Sequence, residues 1–96
     1  MKTVKALQAS CLALVTQDLV YNSDTADYEY GNVNPTVFIR DGVLHVSAED
    51  GKPWADYYGE YRGGYAWINP TLEAWAKANG MYWEWQNPGC IALYPL

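Results

Sequence analysis

Between positions 54 and 67 the chain places Trp54, Tyr57, Tyr58, Tyr61, Tyr65 and Trp67 among Asp56, Glu60, Arg62 and the glycines at 59, 63 and 64. Aromatic rings usually belong to a core. Interleaved with charges and with residues that relax the backbone, they suit a shaped, partly exposed surface on which rigid rings stand beside polar handles. The candidate binding surface is therefore Asp56, Tyr57, Tyr58, Glu60, Tyr61, Arg62 and Tyr65. The competing structural role is that these rings fill a core or line a sheet face, and some rings are expected to do each.

Chemistry beyond recognition has little to stand on. Asp56 and Glu60 could form a carboxylate pair with Tyr and Trp as sugar platforms, but a glycosidase needs two carboxyls at a defined separation across a cleft. His45 is the single histidine. Without a second histidine or a nucleophile in a recognisable setting it builds no triad, and a lone strand histidine is ordinarily structural. Asp24, Asp27 and Glu29, with Tyr28 and Tyr30, sit among turn-forming residues. Their spacing invites a calcium reading, but the further acids, mid-loop glycine and distal glutamate of an EF-hand are missing. They read instead as a secondary acidic surface. Neither a P-loop nor a dinucleotide fingerprint occurs. No enzyme activity, metal or cofactor is expected.

The totals narrow the partner. The chain has 96 residues, enough for one domain, with nine tyrosines and five tryptophans against a single phenylalanine, Phe38. Half the residues are hydrophobic and only 18% charged, a balance opposite to that of disordered chains. The formal net charge of −5 repels phosphate backbones, so direct nucleic-acid binding is not expected. Acidity favours a protein partner with a basic surface. Cys11 and Cys90 are too few for a disulfide framework and read as buried free thiols. Lys2 and Lys5 precede a fairly apolar run, Ala6 to Val15, but Gln8 and Ser10 interrupt it and no cleavage site follows, so the expected location is the cytoplasm. No stretch approaches the length of a membrane-spanning helix.

The elements that must position these residues follow in order. Val4, Leu7, Cys11, Leu14 and Val15 recur at helical spacing, predicting a helix over 3–16 whose end competes with a strand reading of Leu12 to Tyr21. Asn22 to Asn34 reads as a loop closed by Pro35. Thr36 to Arg40 and Val43 to Ala48 read as strands joined by Asp41-Gly42, a hairpin signal because a type I′ turn needs positive φ at both positions. Trp54 to Tyr58 is read as a third strand on that hairpin, although its aromatics also fit helical spacing. Asn69 and Pro70 open a helix that Gly80 stops. Met81 to Gln86 alternates, with Met81, Trp83 and Trp85 on one face, and pairs across Asn87-Pro88-Gly89 with Cys90 to Tyr94. The two tryptophans are expected to cover a helix, and Pro95 to protect a sheet edge. The fold class is α+β: one domain over 1–96, a mostly antiparallel sheet of about five strands (two hairpins plus one strand) and two helices on one face.

The expected function is that of a small acidic, non-enzymatic protein-interaction module. One alternative is a nucleic-acid-mimicking inhibitor from a phage or mobile element, with carboxylates such as Glu49, Asp50, Asp56 and Glu60 standing in for phosphates. Its general character is compatible with the small accessory proteins of such elements. Another alternative is a small-ligand or carbohydrate-binding protein. A symmetric homodimer would be one way to close an exposed aromatic patch.

Overall fold

The computed structural model describes residues 2–15, 36–49, 54–59 and 65–96 in full and the strands over 19–22 and 27–30 by their backbone. Helix α1 runs Val4–Val15. Thr3 caps it: its hydroxyl accepts from Ala6 N at 3.1 Å and its carbonyl from Leu7 N at 3.0 Å. Leu7, Cys11 and Val15, four residues apart, form the buried stripe. Strands β1 (Leu19–Asn22) and β2 (Asp27–Tyr30) pair antiparallel, with Leu19 opposite Tyr30 and Asn22 opposite Asp27. The loop reading of 22–34 is thus corrected over 27–30: the strand preference of tyrosine there outweighs the turn chemistry around it.

Strands β3 (Val37–Arg40) and β4 (Val43–Ser47) form the expected hairpin. Asp41 and Gly42 take φ of 52° and 76°, the two positive values that the type I′ turn requires. After them come two short strands, β5 (Ala55–Asp56) and β6 (Trp67–Ile68), helix α2 (Pro70–Ala78), and the long hairpin β7 (Met81–Asn87) and β8 (Cys90–Pro95). The main sheet is antiparallel in the order β3-β4-β8-β7. The chain is a small α+β domain with two helices among the described residues and a four-stranded sheet. The expected third strand on the first hairpin does not join it. Residues 55–56 pair instead with 67–68, because β8 occupies the neighbouring position beside β4, with Val46 opposite Ile91. That placement also makes β8 an inner strand, so Pro95 lies at the strand's end opposite Met81 rather than along an edge.

Register settles the faces. Val37, Ile39, Leu44, Val46, Ile91, Leu93 and Trp83 fall on one side and join Leu7, Cys11, Val15, Leu72 and Ala76 from the helices in one core. Fully burying a side chain such as Leu72 contributes about 1.5–3 kcal/mol. Two tryptophan N–H groups of the core find acceptors across elements, whereas the buried Trp54 Nε1 has no acceptor among the described residues. Trp75 donates to Ser10 Oγ at 2.9 Å, joining α2 to α1, and Trp83 donates to Leu72 O at 3.1 Å. The two indoles stack at 5.9 Å. Asn69 caps α2 as expected, its Oδ1 accepting from Thr71 N at 2.9 Å, and Gly80 ends the segment at φ 70°. Both cysteines are buried free thiols.

Candidate functional site

The central stretch is held by its ends. Trp54 O accepts from Asn69 N at 2.9 Å, β5 pairs with β6, and Tyr57 O accepts from Ala66 N at 2.6 Å. Four successive positions on each side therefore close the base of an excursion over 58–65. Trp54 and Asp56 are each only 1% exposed, so the base is packed into the domain. At its edges Gly59 takes φ 70°, and Ala66 takes φ 61°, an uncommon value for a residue with a side chain.

On this base the tyrosines divide. Tyr57 is half-buried and central, meeting Tyr58 at 5.2 Å, Tyr65 at 4.6 Å and Trp85 at 5.1 Å, all edge-to-face. Tyr58 and Tyr65 are 65% and 71% exposed. The hydroxyls of Tyr57 and Tyr65 are hydrogen-bonded to each other, which with partial desolvation raises the Tyr65 phenol above its ordinary pKa. Trp85 does not serve only as a lid on a helix. Its indole donates to Ala66 O at 3.1 Å while its ring supports Tyr57, so the sheet props up the tyrosine cluster.

Of the sequence-predicted surface, the structure brings Asp56, Tyr57, Tyr58 and Tyr65 together. Glu60, Tyr61 and Arg62 lie outside the described residues, as does Asp24. Asp27 and Glu29 fall in β2. Asp56, Tyr57 and Tyr58 line a cleft of about 320 Å³ with Ala48, Glu49, Pro88 and Gly89. The cleft forms where the end of β4 meets the β7–β8 turn, joined by Ala48 N donating to Gly89 O at 2.8 Å. Glu49 lies so close to Gly89 that a Cβ there would come within 2.7 Å of its Oε1. A concavity with tyrosines and the exposed Glu49 carboxylate accommodates an ammonium or guanidinium group, through cation–π attraction and a charge-assisted hydrogen bond. Asp56, read from the sequence as part of the surface, is instead buried at 1% exposure because it pairs with Trp67 in the packed base. Glu49 figured in the sequence only as one acid of a run. Its arrival at the cleft depends on the β4–β8 pairing, which periodicity does not reveal.

The opposite sheet face holds a second group of polar residues that sequence spacing kept apart. Phe38 stacks on His45 at 5.0 Å and Arg40 lies over Phe38 at 5.2 Å. His45 Nδ1 donates to Val43 O at 2.9 Å. His45 and Cys90 share a hollow of about 210 Å³ with Arg40 and Tyr94. Among the described residues no three His, Cys, Asp or Glu side chains converge as metal ligands. No helix among them is long and apolar enough to cross a membrane.

Comparison of the chain with protein-family models, with curated proteins and with solved structures finds no match. The functional reading therefore rests on the geometry alone.

Proposed function

We propose that this chain is a small acidic, non-enzymatic protein-interaction module that takes a basic segment of a protein partner on Tyr57, Tyr58 and Tyr65 and in the adjoining cleft. The observation that carries this reading is the pair of tyrosines left 65% and 71% exposed on a stretch whose base is buried, beside a cleft bearing the exposed Glu49 carboxylate. Exposed rings held on a rigid base lose little freedom on binding, which is what makes tyrosine effective at the centre of an interface. The Glu49 carboxylate and the net charge of −5 select a basic partner and speed its approach. Glu60, Tyr61 and Arg62 extend the same stretch in sequence and belong to the proposed surface.

The test is capture from a lysate of the native host, with the retained proteins identified by mass spectrometry. Wild type is run beside Tyr58→Ala/Tyr65→Ala and beside Gly89→Ala. The last substitution meets the tip of the flexible Glu49 side chain and displaces the carboxylate; it also comes within 3.1 Å of Asn87 Oδ1, which accepts from Gly89 N, so the variant is checked for an intact fold before capture. The expected result is a partner with an Arg- or Lys-rich surface that wild type retains and both variants lose. Equal capture by wild type and the double tyrosine variant overturns the reading. A partner that is a nucleic-acid-binding protein and is released steeply as salt rises would favour the mimic alternative instead.

A further inference from the structure

At the far end of β4 and β8 from the tyrosine cleft, a second cavity of about 280 Å³ opens between the start of α1, the β3–β4 turn and the end of α2. Its walls are Val4, Leu7, Leu44, Met81 and Leu93, and Lys2 is the charged residue among those described around it. Gly42 and Val43 of the β3–β4 turn complete the lining on that side. The first turn of α1 carries no acidic residue against the positive end of its dipole, and at the α2 end, where Asn79 lines the cavity, Lys77 in the last turn offsets the negative end. We propose that this cavity binds a small aliphatic carboxylate, with its tail among the five apolar side chains and its carboxylate at Lys2.

Three features select this class of ligand. The size lies near the lower end of the ~300–1,000 Å³ of small-molecule sites, which suits a short tail and excludes a long-chain lipid. The lining is apolar, and an apolar hollow holds water poorly, so filling it restores dispersion contacts that its walls otherwise lack. The charge at the rim is positive on a chain whose net charge is −5, so attraction of an anion to this cavity is local rather than global. The site shares no residue with the tyrosine cleft, and either can exist without the other.

The probes are sodium octanoate, octylammonium chloride and octanol, each titrated into the full chain below its aggregation limit and followed by methyl and amide NMR. Octanoate is expected to give saturable shifts centred on Val4, Leu44, Met81 and Leu93 and to bind roughly fivefold more tightly than octylammonium. Lys2→Glu, an exposed substitution compatible with folding, is expected to abolish that preference, and Val4→Trp to block the shifts by filling the entrance. No saturable shift in wild type overturns the site. Equal affinity for the three probes, or a preference for octanoate that survives Lys2→Glu, overturns the assignment of a carboxylate ligand.

Discussion

The β7–β8 hairpin and the 54–67 stretch are both rich in aromatic residues, and Trp83 of the one and Tyr58 and Tyr65 of the other have opposite fates. In the hairpin, strict alternation on a regular strand sends Trp83 into the core, where it stacks on Trp75 and gives its N–H to Leu72 O. In the central stretch, two residue pairs of strand give way to a turn at Gly59, and Tyr58 and Tyr65 end in solvent. Where register continues, alternation decides which rings face the core (Trp83) and which face solvent (Tyr82); where it stops, after Asp56, Tyr58 and Tyr65 are left exposed. Tyr57 and Trp85 lie at the junction and touch each other.

The contrast can be broken by substitution. Trp83→Ala is expected to cost about 3–5 kcal/mol in urea unfolding, because it empties a packed site and orphans an acceptor. A loss below about 1 kcal/mol would make the hairpin ring as dispensable as a surface one. The core should also show itself at alkaline pH. Burial pushes the Cys11 thiol from 9.0 to about 12. Between those values the unfolded chain gives up the proton that the native state keeps, so stability falls as pH rises from 9 towards 12. Cys11→Ala should make that decline shallower in pH-resolved unfolding. An unchanged profile would mean that the thiol is not insulated.

Asn69 ties the two regions together, since it caps α2 and its N–H closes the base of the excursion. Asn69→Ala is expected to cost about 1–2 kcal/mol in thermal unfolding, within the range of a lost cap. Ala66→Gly should stabilise by at most about 1 kcal/mol, because φ 61° is strained only for a residue with a Cβ. Destabilisation there would show that the methyl group packs. The smallest effect is expected from Tyr65→Ala, whose unfolding midpoint should match wild type while partner capture is lost. A midpoint lowered as far as that of Trp83→Ala would move the cluster into the core and end the comparison.

What could be read in the sequence was what local rules decide. Asp41-Gly42 announced its turn because few residue pairs accept two positive φ values, and Asn69-Pro70 with Gly80 bracketed α2 for similar reasons. Alternation told which side of β7 faced inward. It did not tell that β8 would lie between β4 and β7, since period gives a face and not a neighbour. From that one pairing follow the cleft at Glu49, the shared hollow of His45 and Cys90, and the displacement of residues 55–56 from the main sheet. The strand at Asp27–Tyr30 was hidden by the turn formers around it. The division of the central tyrosines was hidden because three glycines leave backbone direction to tertiary context.

The closed base at 54–57 and 66–69 has a consequence for variation. The ends of the excursion are pinned by hydrogen bonds and by the burial of Trp54, so the fold does not depend on the length of what lies between them. Each doubling of such a loop costs only about 0.6 kcal/mol in closure entropy. Residues 58–65 can therefore be lengthened, shortened or rewritten while α2 and the sheet stay as they are. In that sense the domain is a frame with an exchangeable insert.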